Sequence, residues 1–280
     1  MLHEVPKVDQ LRTGRTPVRI MAILNVTPDS FSDGGRFMNP ERAIDQARAL
    51  VAEGADILDI GAESTRPGFT PISAETELRR LMPVLQGLPE AFGGRVPVLV
   101  SVDTTKASVA QAALAEGATI VNDIWGFQGD RAMAGVVAAA GAQAILMHNR
   151  QMPDESIDIL DDIRWFFERS LAIAAEAGVP RHRLILDPGI GFGKTQKQQI
   201  QVLANLEILT DTFGLPILVG ASRKSFLRPF VGDDPANRLI GTLAAHVMAT
   251  TAGAAILRVH DVAAHVTALG VTRAIAEARL

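Results

Sequence analysis

Cysteine is absent from the 280 residues, which excludes disulfides, thiolate metal sites, iron–sulfur clusters and a cysteine nucleophile together. Any metal must then be held by oxygen or imidazole ligands. A surplus of positive charge is missing as well. The chain carries 27 Lys and Arg against 31 Asp and Glu, a formal net charge of −4, so no global basic field is present to hold nucleic acid. Long apolar runs are also lacking. The longest clean stretch, residues 133–142, is rich in small side chains and far short of the ~20 residues that cross a bilayer. Residues 1–20 interrupt every apolar stretch with a charge or a proline. No signal-peptide core is therefore expected, and the chain is expected to stay in the cytoplasm, away from membranes.

What is present is a rhythm. Short apolar runs recur as VRIMAIL at 18–24, DILDI at 56–60, PVLVSV at 97–102, TIV at 119–121, AILM at 144–147, RLIL at 183–186, PILVG at 216–220 and AILRV at 255–259. Between most of them lie Ala- and Glu-rich stretches with helical spacing. Runs that are continuously apolar, rather than alternating, suit parallel strands covered on both faces. Ala-Glu-Gly-Ala at 52–55 and 115–118, Ala-Gly-Ala at 140–142 and 252–254, and Ala-Gly-Val at 177–179 each offer a glycine for a left-handed helix end. Asn39-Pro40-Glu41, Ser73-Ala74-Glu75 and Asp234-Pro235 offer capping side chains at helix starts. No Pro/Gly/Ser-rich linker divides the chain. The expected fold is α/β, a single (β/α)8 barrel over residues 18–280 preceded by an extension at 1–17, with a doubly wound open sheet as the alternative.

In a barrel the C-terminal ends of the strands meet on one rim. Here those ends read Asn25, Glu63-Ser64-Thr65-Arg66, Asp103, Asn122-Asp123, His148, Asp187, Arg223-Lys224 and Arg258 with His260. Asp103, Asp187 and Asn122 end apolar strands, where an unpaired polar group costs on the order of 1–3 kcal/mol. The adjacent N–H donors of an aminopyrimidinone edge would satisfy them, and so would scaffold pairing with Lys224, Arg223 or backbone amides. Lys224, Arg223, Arg258, Arg66 and His260 bring positive charge to the same mouth. Asn25, Asp29 and Asp33 bring hard oxygen ligands suited to Mg2+ beside a phosphorylated anion. The segment Gly189-Ile190-Gly191-Phe192-Gly193-Lys194-Thr195 fails as a phosphate loop because Pro188 stands where a glycine is required. A tight loop holding Phe192 over the mouth is expected instead. Without GxSxG or cysteine, nothing points to acyl-enzyme chemistry.

Seven segments in order carry a resemblance: ILNVTPDSFSDGG at 23–35, DILDIGAESTRPG at 56–68, SVDT at 101–104, NDI at 122–124, LDPGIGFGKT at 186–195, GASRKSFL at 220–227 and RVHDV at 258–262. Together they resemble the dihydropteroate synthases, a pterin-binding barrel family, from about residue 18 to the end. The resemblance implies a transferase that joins a dihydropterin pyrophosphate to 4-aminobenzoate with release of pyrophosphate. It places Asp103, Asn122 and Asp187 on the pterin, Lys224 near the ring carbonyl, and Met147 and Gly220 along the slot. It places Asn25, Thr65, Arg66, Arg258 and His260 on the pyrophosphate, with Mg2+ on Asn25 and Asp33. Phe31, Pro67, Phe192, Lys224 and Ser225 would shape the 4-aminobenzoate pocket. Lys224, Arg258, His260, Asp103 and Asp187 would carry the catalysis, and a homodimer would form through the last helices, 236–252 and 262–278. The segment MHNRQMPDES departs from the family by lacking the Gly-x-Pro that commonly follows the histidine. Two other readings stand beside this one, a pterin-binding methyltransferase barrel and a non-catalytic pterin-binding module. The first has no need of a pyrophosphate site, which SRKS at 222–225 and RVHD at 258–261 resemble.

Overall fold

Strands β1 (Arg19–Asn25), β2 (Ile57–Gly61), β3 (Leu99–Asp103), β4 (Ile120–Asp123), β5 (Gln143–Met147), β6 (Leu184–Asp187), β7 (Ile217–Val219) and β8 (Ala254–Val259) pair in chain order and close into a barrel. All pairings are parallel, and β8 returns to β1 with Met21 opposite Arg258, which removes the open-sheet alternative. The structure is a computed structural model and describes residues 18–27, 39–63 and 71–278. The expected extension at 1–17 lies outside the described residues.

Helices fill the crossovers. They are α1 (Pro40–Ala52), α2 (Ala74–Ala91), α3 (Ala107–Ala115), α4 (Met133–Ala140), α5 (Ile159–Glu176), α6 (Gln196–Ala204), α7 (Leu206–Phe213), α8 (Arg228–Val231), α9 (Pro235–Thr251) and α10 (Val262–Glu277). Their ends follow from the sequence. The Asn39 side chain accepts from the Glu41 and Arg42 amides, Ser73 from Thr76 and Asp234 from Ala236, which satisfies donors that a helix start leaves orphaned. At the other ends Gly54, Gly117, Gly141, Gly178 and Gly253 all have positive φ, as a left-handed turn into the next strand requires. No helix among the described residues is long and apolar enough to cross a membrane.

The strands have two buried faces with different partners. Leu58, Ile60, Val100, Val102, Val121, Leu146, Leu186 and Leu257 join the core shared with the helices. Met21, Ile57, Ile120, Ile145, Ile185, Leu218 and Ile256 form a second, smaller cluster inside the barrel. Side chains two residues apart on a strand share a face. One step of two beyond these inward residues stand Asp59, Asn122, Met147, Asp187, Gly220 and Arg258. The barrel interior is thus an apolar plug topped by a polar layer, and that layer is where the site is built.

Candidate active site

One row of strand partners runs around the upper barrel, with Asn25 opposite Gly61, Gly61 opposite Asp103 and Asp103 opposite Asn122. Gly61 leaves room in that row, since a Cβ there would lie 3.2 Å from that of Asp103. Across the barrel Met147 stands opposite Asp187. Arg258 reaches from β8 into this layer. Its Nε donates to Asp59 Oδ2 at 2.6 Å and its Nη2 to Asp103 Oδ2 at 2.7 Å. Asn122 Nδ2 also donates to Asp59 Oδ2, at 3.1 Å. The guanidinium is clamped by two buried carboxylates, which hold its pKa above the ordinary arginine value despite burial.

The clamp uses only one side of each group. Asp103 Oδ1 and Asn122 Oδ1 are buried and have no hydrogen-bond partner among the described residues. Two neighbouring acceptors of this kind call for a ligand with adjacent donors, because leaving them unpaired costs on the order of 1–3 kcal/mol each. Asp187 accepts from the Gly189 amide at 2.7 Å through Oδ1. Burial pushes its carboxyl up to about 6, against the Gly189 hydrogen bond and Lys224. Burial pushes Asp103 up to about 7, against the pull of Arg258. Of the scaffold partners considered from sequence, a backbone amide is the one found on Asp187, while Asp103 pairs with Arg258, which that reading did not include.

The loops after β7 and β8 are bound to each other. Ser222 Oγ accepts from the His260 amide at 3.3 Å and lies 2.9 Å from His260 Nδ1. The hydroxyl can give its hydrogen to Nδ1 or accept a second one from it, and either way the two loops are joined. Burial, then Arg223 and Arg258, push the imidazole down to about 4, so at neutral pH His260 is an uncharged donor. Arg223 does not point into the mouth as expected; its Nε donates to Asp261 at 3.1 Å and the side chain is half-exposed, so its charge reaches the site only through its effect on His260. Lys224 does face the site, with Nζ 4.2 Å from the centroid of the Phe192 ring. Ser225 is exposed beside it, at the start of a short 3-10 turn.

Asn25, half-buried at the end of β1, is the described member of the expected Mg2+ set. Among the described residues no group of three or more His, Asp or Glu could hold a metal by itself. A lone carboxamide oxygen suits Mg2+ that keeps several waters and leans on substrate phosphates. Phe31, Asp33, Thr65, Arg66 and Pro67 lie outside the described residues.

Sequence reasoning gave no role to Asp59, although a carboxylate inside the apolar run DILDI, two residues from the inward Ile57, was its signal. It also passed over His246 and His265. The Ala221 amide donates to His246 Nε2 at 3.0 Å, His246 Nδ1 lies 2.8 Å from His265 Nε2, and His265 Nδ1 lies 2.6 Å from the Asp261 carbonyl. This chain of two neutral imidazoles ties α9 and α10 to the loops after β7 and β8. Burial pushes His246 down to about 3.

Comparison with known proteins agrees with this geometry. The family model described as pterin binding enzyme matches residues 21–260. A curated dihydropteroate synthase from Clostridium beijerinckii is 43% identical over 244 residues, covering 87% of this chain and 88% of its own. Among solved structures, the dihydropteroate synthase of Clostridium difficile, determined in the presence of pteroic acid, superposes with a TM-score of 0.88 at 42% identity, covering 98% of this chain and 99% of that one. The Xanthomonas albilineans dihydropteroate synthase with 4-aminobenzoic acid gives a TM-score of 0.87 at 41% identity, with 94% of each chain covered. With barrel, polar layer and relatives in accord over nearly its whole length, the chain belongs to the dihydropteroate synthase family of pterin-binding enzymes.

Proposed function

We propose that this protein condenses 6-hydroxymethyl-7,8-dihydropterin pyrophosphate with 4-aminobenzoate, giving 7,8-dihydropteroate and pyrophosphate. The observation that carries the reading is the pair of unpartnered buried acceptors on Asp103 and Asn122, on the rim that also holds Asp187, Arg258 and His260. The paired N–H donors of a pterin ring match them. In the reaction the C–O bond to pyrophosphate breaks, leaving a cation delocalised into the dihydropterin. The aryl amine attacks that carbon and releases one proton, so no protein nucleophile is needed.

Each residue type has a part in this scheme. Asp103 and Asp187, when ionised, offset the positive charge that spreads over the ring, in a layer where water screening is weak. Arg258 and His260 offer charge and a hydrogen bond to the departing pyrophosphate, with Thr65 and Arg66 assigned to the same anion. Met147 and Gly220 flank the ring slot. Phe192 and Lys224, with Phe31, Pro67 and Ser225, are assigned to the aryl amine. Asn25 and Asp33 would hold Mg2+, which when bound neutralises charge on the pyrophosphate group. The purified chain, given both substrates and Mg2+, is expected to form dihydropteroate and pyrophosphate in equal amounts. No product from folded protein under those conditions would sink the reading. Methyl transfer is disfavoured because Ser222 and His260 are locked together beside Arg258, an arrangement suited to an anion.

The protein is also proposed to be a homodimer. Phe230, Ile240, Met248, Val271 and Ile275, at 68, 64, 65, 58 and 62% exposure, lie on α8, α9 and α10. Apolar side chains so concentrated on adjoining elements mark an association surface. Sedimentation is expected to show a dimer, and Ile240→Glu with Met248→Glu to give monomer without loss of helix content. A monomeric native protein would refute the assignment.

A further inference from the structure

Lys194 is 5% exposed, and the reaction scheme assigns it no part. Its ammonium is nevertheless fully engaged. Nζ donates to the Gly189 carbonyl at 2.9 Å and the Phe192 carbonyl at 3.2 Å, and lies 2.7 Å from His148 Nδ1. Its three hydrogens have these three acceptors, and the His148 carbonyl at 3.5 Å is a fourth, longer one. Since His148 Nδ1 must accept, the ring proton sits on Nε2 and is donated to Asp162 Oδ2 at 2.9 Å. The other Asp162 oxygen accepts from Arg150 at 2.7 Å. A line of contacts therefore runs from Arg150 and α5 through His148 to the interior of the loop that follows β6.

That loop is wound around the lysine. Gly189 and Gly193 have φ of +68° and +55°, and a Cβ would collide with the His148 carbonyl at the first and the Arg150 carbonyl at the second. No other residue type can bring the backbone so close. The outer side of the same loop meets the site. A Cβ at Gly191 would come within 2.9 Å of Lys224 Cδ, and the Phe192 ring lies under the Lys224 ammonium. Where the loop backbone lies thus decides where Phe192 and Lys224 can lie. The pterin acceptors on Asp103 and Asn122 belong to strands β3 and β4, on the clamp made with β2 and β8. They make no contact with Lys194, whereas the third pterin acceptor, Asp187, takes the Gly189 amide at the start of the loop and faces the charge of the lysine.

We propose that Lys194 is a positioning residue that holds the loop at 189–193 in place, so that Phe192 and Lys224 form the wall against which the aryl amine is set. The inference rests on the reading of the site as one for a pterin and an aryl amine, and it adds a residue whose larger effect falls on the second. Two variants separate its parts. Lys194→Met removes all three donors, and Lys194→Gln keeps two for the Gly189 and Phe192 carbonyls. In Lys194→Met the KM for 4-aminobenzoate is expected to rise about tenfold to a hundredfold, the range for lost hydrogen bonds to a charged group. Affinity for 6-hydroxymethylpterin, read by calorimetry, is expected to fall by a clearly smaller factor, because Asp103 and Asn122 lie on the clamp away from the loop and only Asp187 and Lys224 adjoin it. Lys194→Gln is expected to recover much of the KM. An unchanged KM, or equal losses for both ligands, would overturn the proposal.

A pH profile supplies a readout that a merely structural lysine would not move. Burial pushes Lys194 down to about 7, with Asp187 and Asp162 opposing and Arg150 and Lys224 adding to the effect. His148 also faces it, but burial keeps that ring neutral, down to about 4. Losing its proton costs Lys194 one donor, so KM for 4-aminobenzoate is expected to rise as pH passes above about 7. Asp162→Asn removes an opposing anion and is expected to move that rise to lower pH. It tests the proposal without altering Lys194, should Lys194→Met fail to fold. A profile superposed on the wild type would count against the brace. Amide exchange at 189–193, expected to quicken in Lys194→Met and to return toward the wild-type rate in Lys194→Gln, reads the loop without turnover. Unaltered exchange in folded Lys194→Met would overturn the brace. A wild type that makes no dihydropteroate while that exchange quickens would sink the reaction and leave the brace standing.

Discussion

Arg258→Ala is expected to lower folding stability by roughly 3–5 kcal/mol and to abolish turnover. The guanidinium lies between Asp59 and Asp103, with side chains 0 and 8% exposed, and is itself only 18% exposed. Removing it leaves two carboxylates in a layer sealed from below by Ile57, Ile120 and Ile256, and the Asn122 amide can serve only one of them. A pair on the surface behaves otherwise. Breaking the pair of Arg228 and Asp233, both about two-thirds exposed, should change stability little, because water screens it. Urea titration is expected to show a lower midpoint for Arg258→Ala with little change of slope. Adding Asp59→Asn should recover part of the stability by removing one uncompensated charge, with no recovery of product formation. A midpoint equal to that of the wild type would mean that the clamp contributes nothing to folding. Recovery of activity in the double variant would mean that Arg258 serves the fold alone.

The same clamp shows which parts of the molecule the sequence displays. Strands were legible because a parallel barrel buries both faces of each, so Ile57-Leu58 or Ile145-Leu146 reads as an unbroken apolar run wherever it occurs. Asp103, Asn122 and Asp187 were legible as polar residues closing such runs. Asp59 stands out as an acid inside DILDI, but its role was not legible, because its partner is 199 residues away and no local pattern encodes that contact. Glu77 misleads for a related reason. In the first turn of α2 an acid is what the helix dipole favours on an exposed surface, yet Glu77 is fully buried and pairs with Lys106 at 2.7 Å. Lys106 also pairs with Glu63, whose other oxygen accepts from the Ile72 amide at 2.8 Å. The two ends of the segment bearing Thr65, Arg66 and Pro67 are thereby drawn together by charges that look like surface residues when read singly. Arg223 erred in the opposite sense. Its place next to Lys224 suggests a shared target, but at φ +57° the chain turns its side chain toward Asp261. The assignment of roles around the mouth came from motif resemblance, because spacing alone left pterin contacts and scaffold pairing equally open.

Asp187→Asn is expected to give a protein that is more stable and unable to hold the pterin tightly. Burial raises the folded carboxyl to about 6, while an unfolded aspartate titrates near 3.9. Between these values the folded state keeps a proton that the unfolded state has released, so stability falls as pH rises from about 4 to about 6. At neutral pH the ionised group then costs on the order of 1–3 kcal/mol. Asparagine is uncharged and can still accept from the Gly189 amide through its oxygen, so the local turn survives. The variant should therefore denature at higher temperature at pH 7, with a shallower decline in stability between pH 4 and 6. Some decline should remain, because burial also raises Asp103, to about 7. Ligand binding should move the other way. The asparagine NH2 would face ring N–H groups that now meet a carboxylate, and the loss of one charge-assisted contact corresponds to about a tenfold to a hundredfold weaker affinity. Calorimetry with 6-hydroxymethylpterin and thermal denaturation across that pH range measure both effects on one sample. Lower stability with unchanged affinity would place Asp187 in the scaffold rather than on the ligand. The expected opposite signs would show a carboxylate kept ionised in the barrel for its ligand, against the preference of the fold.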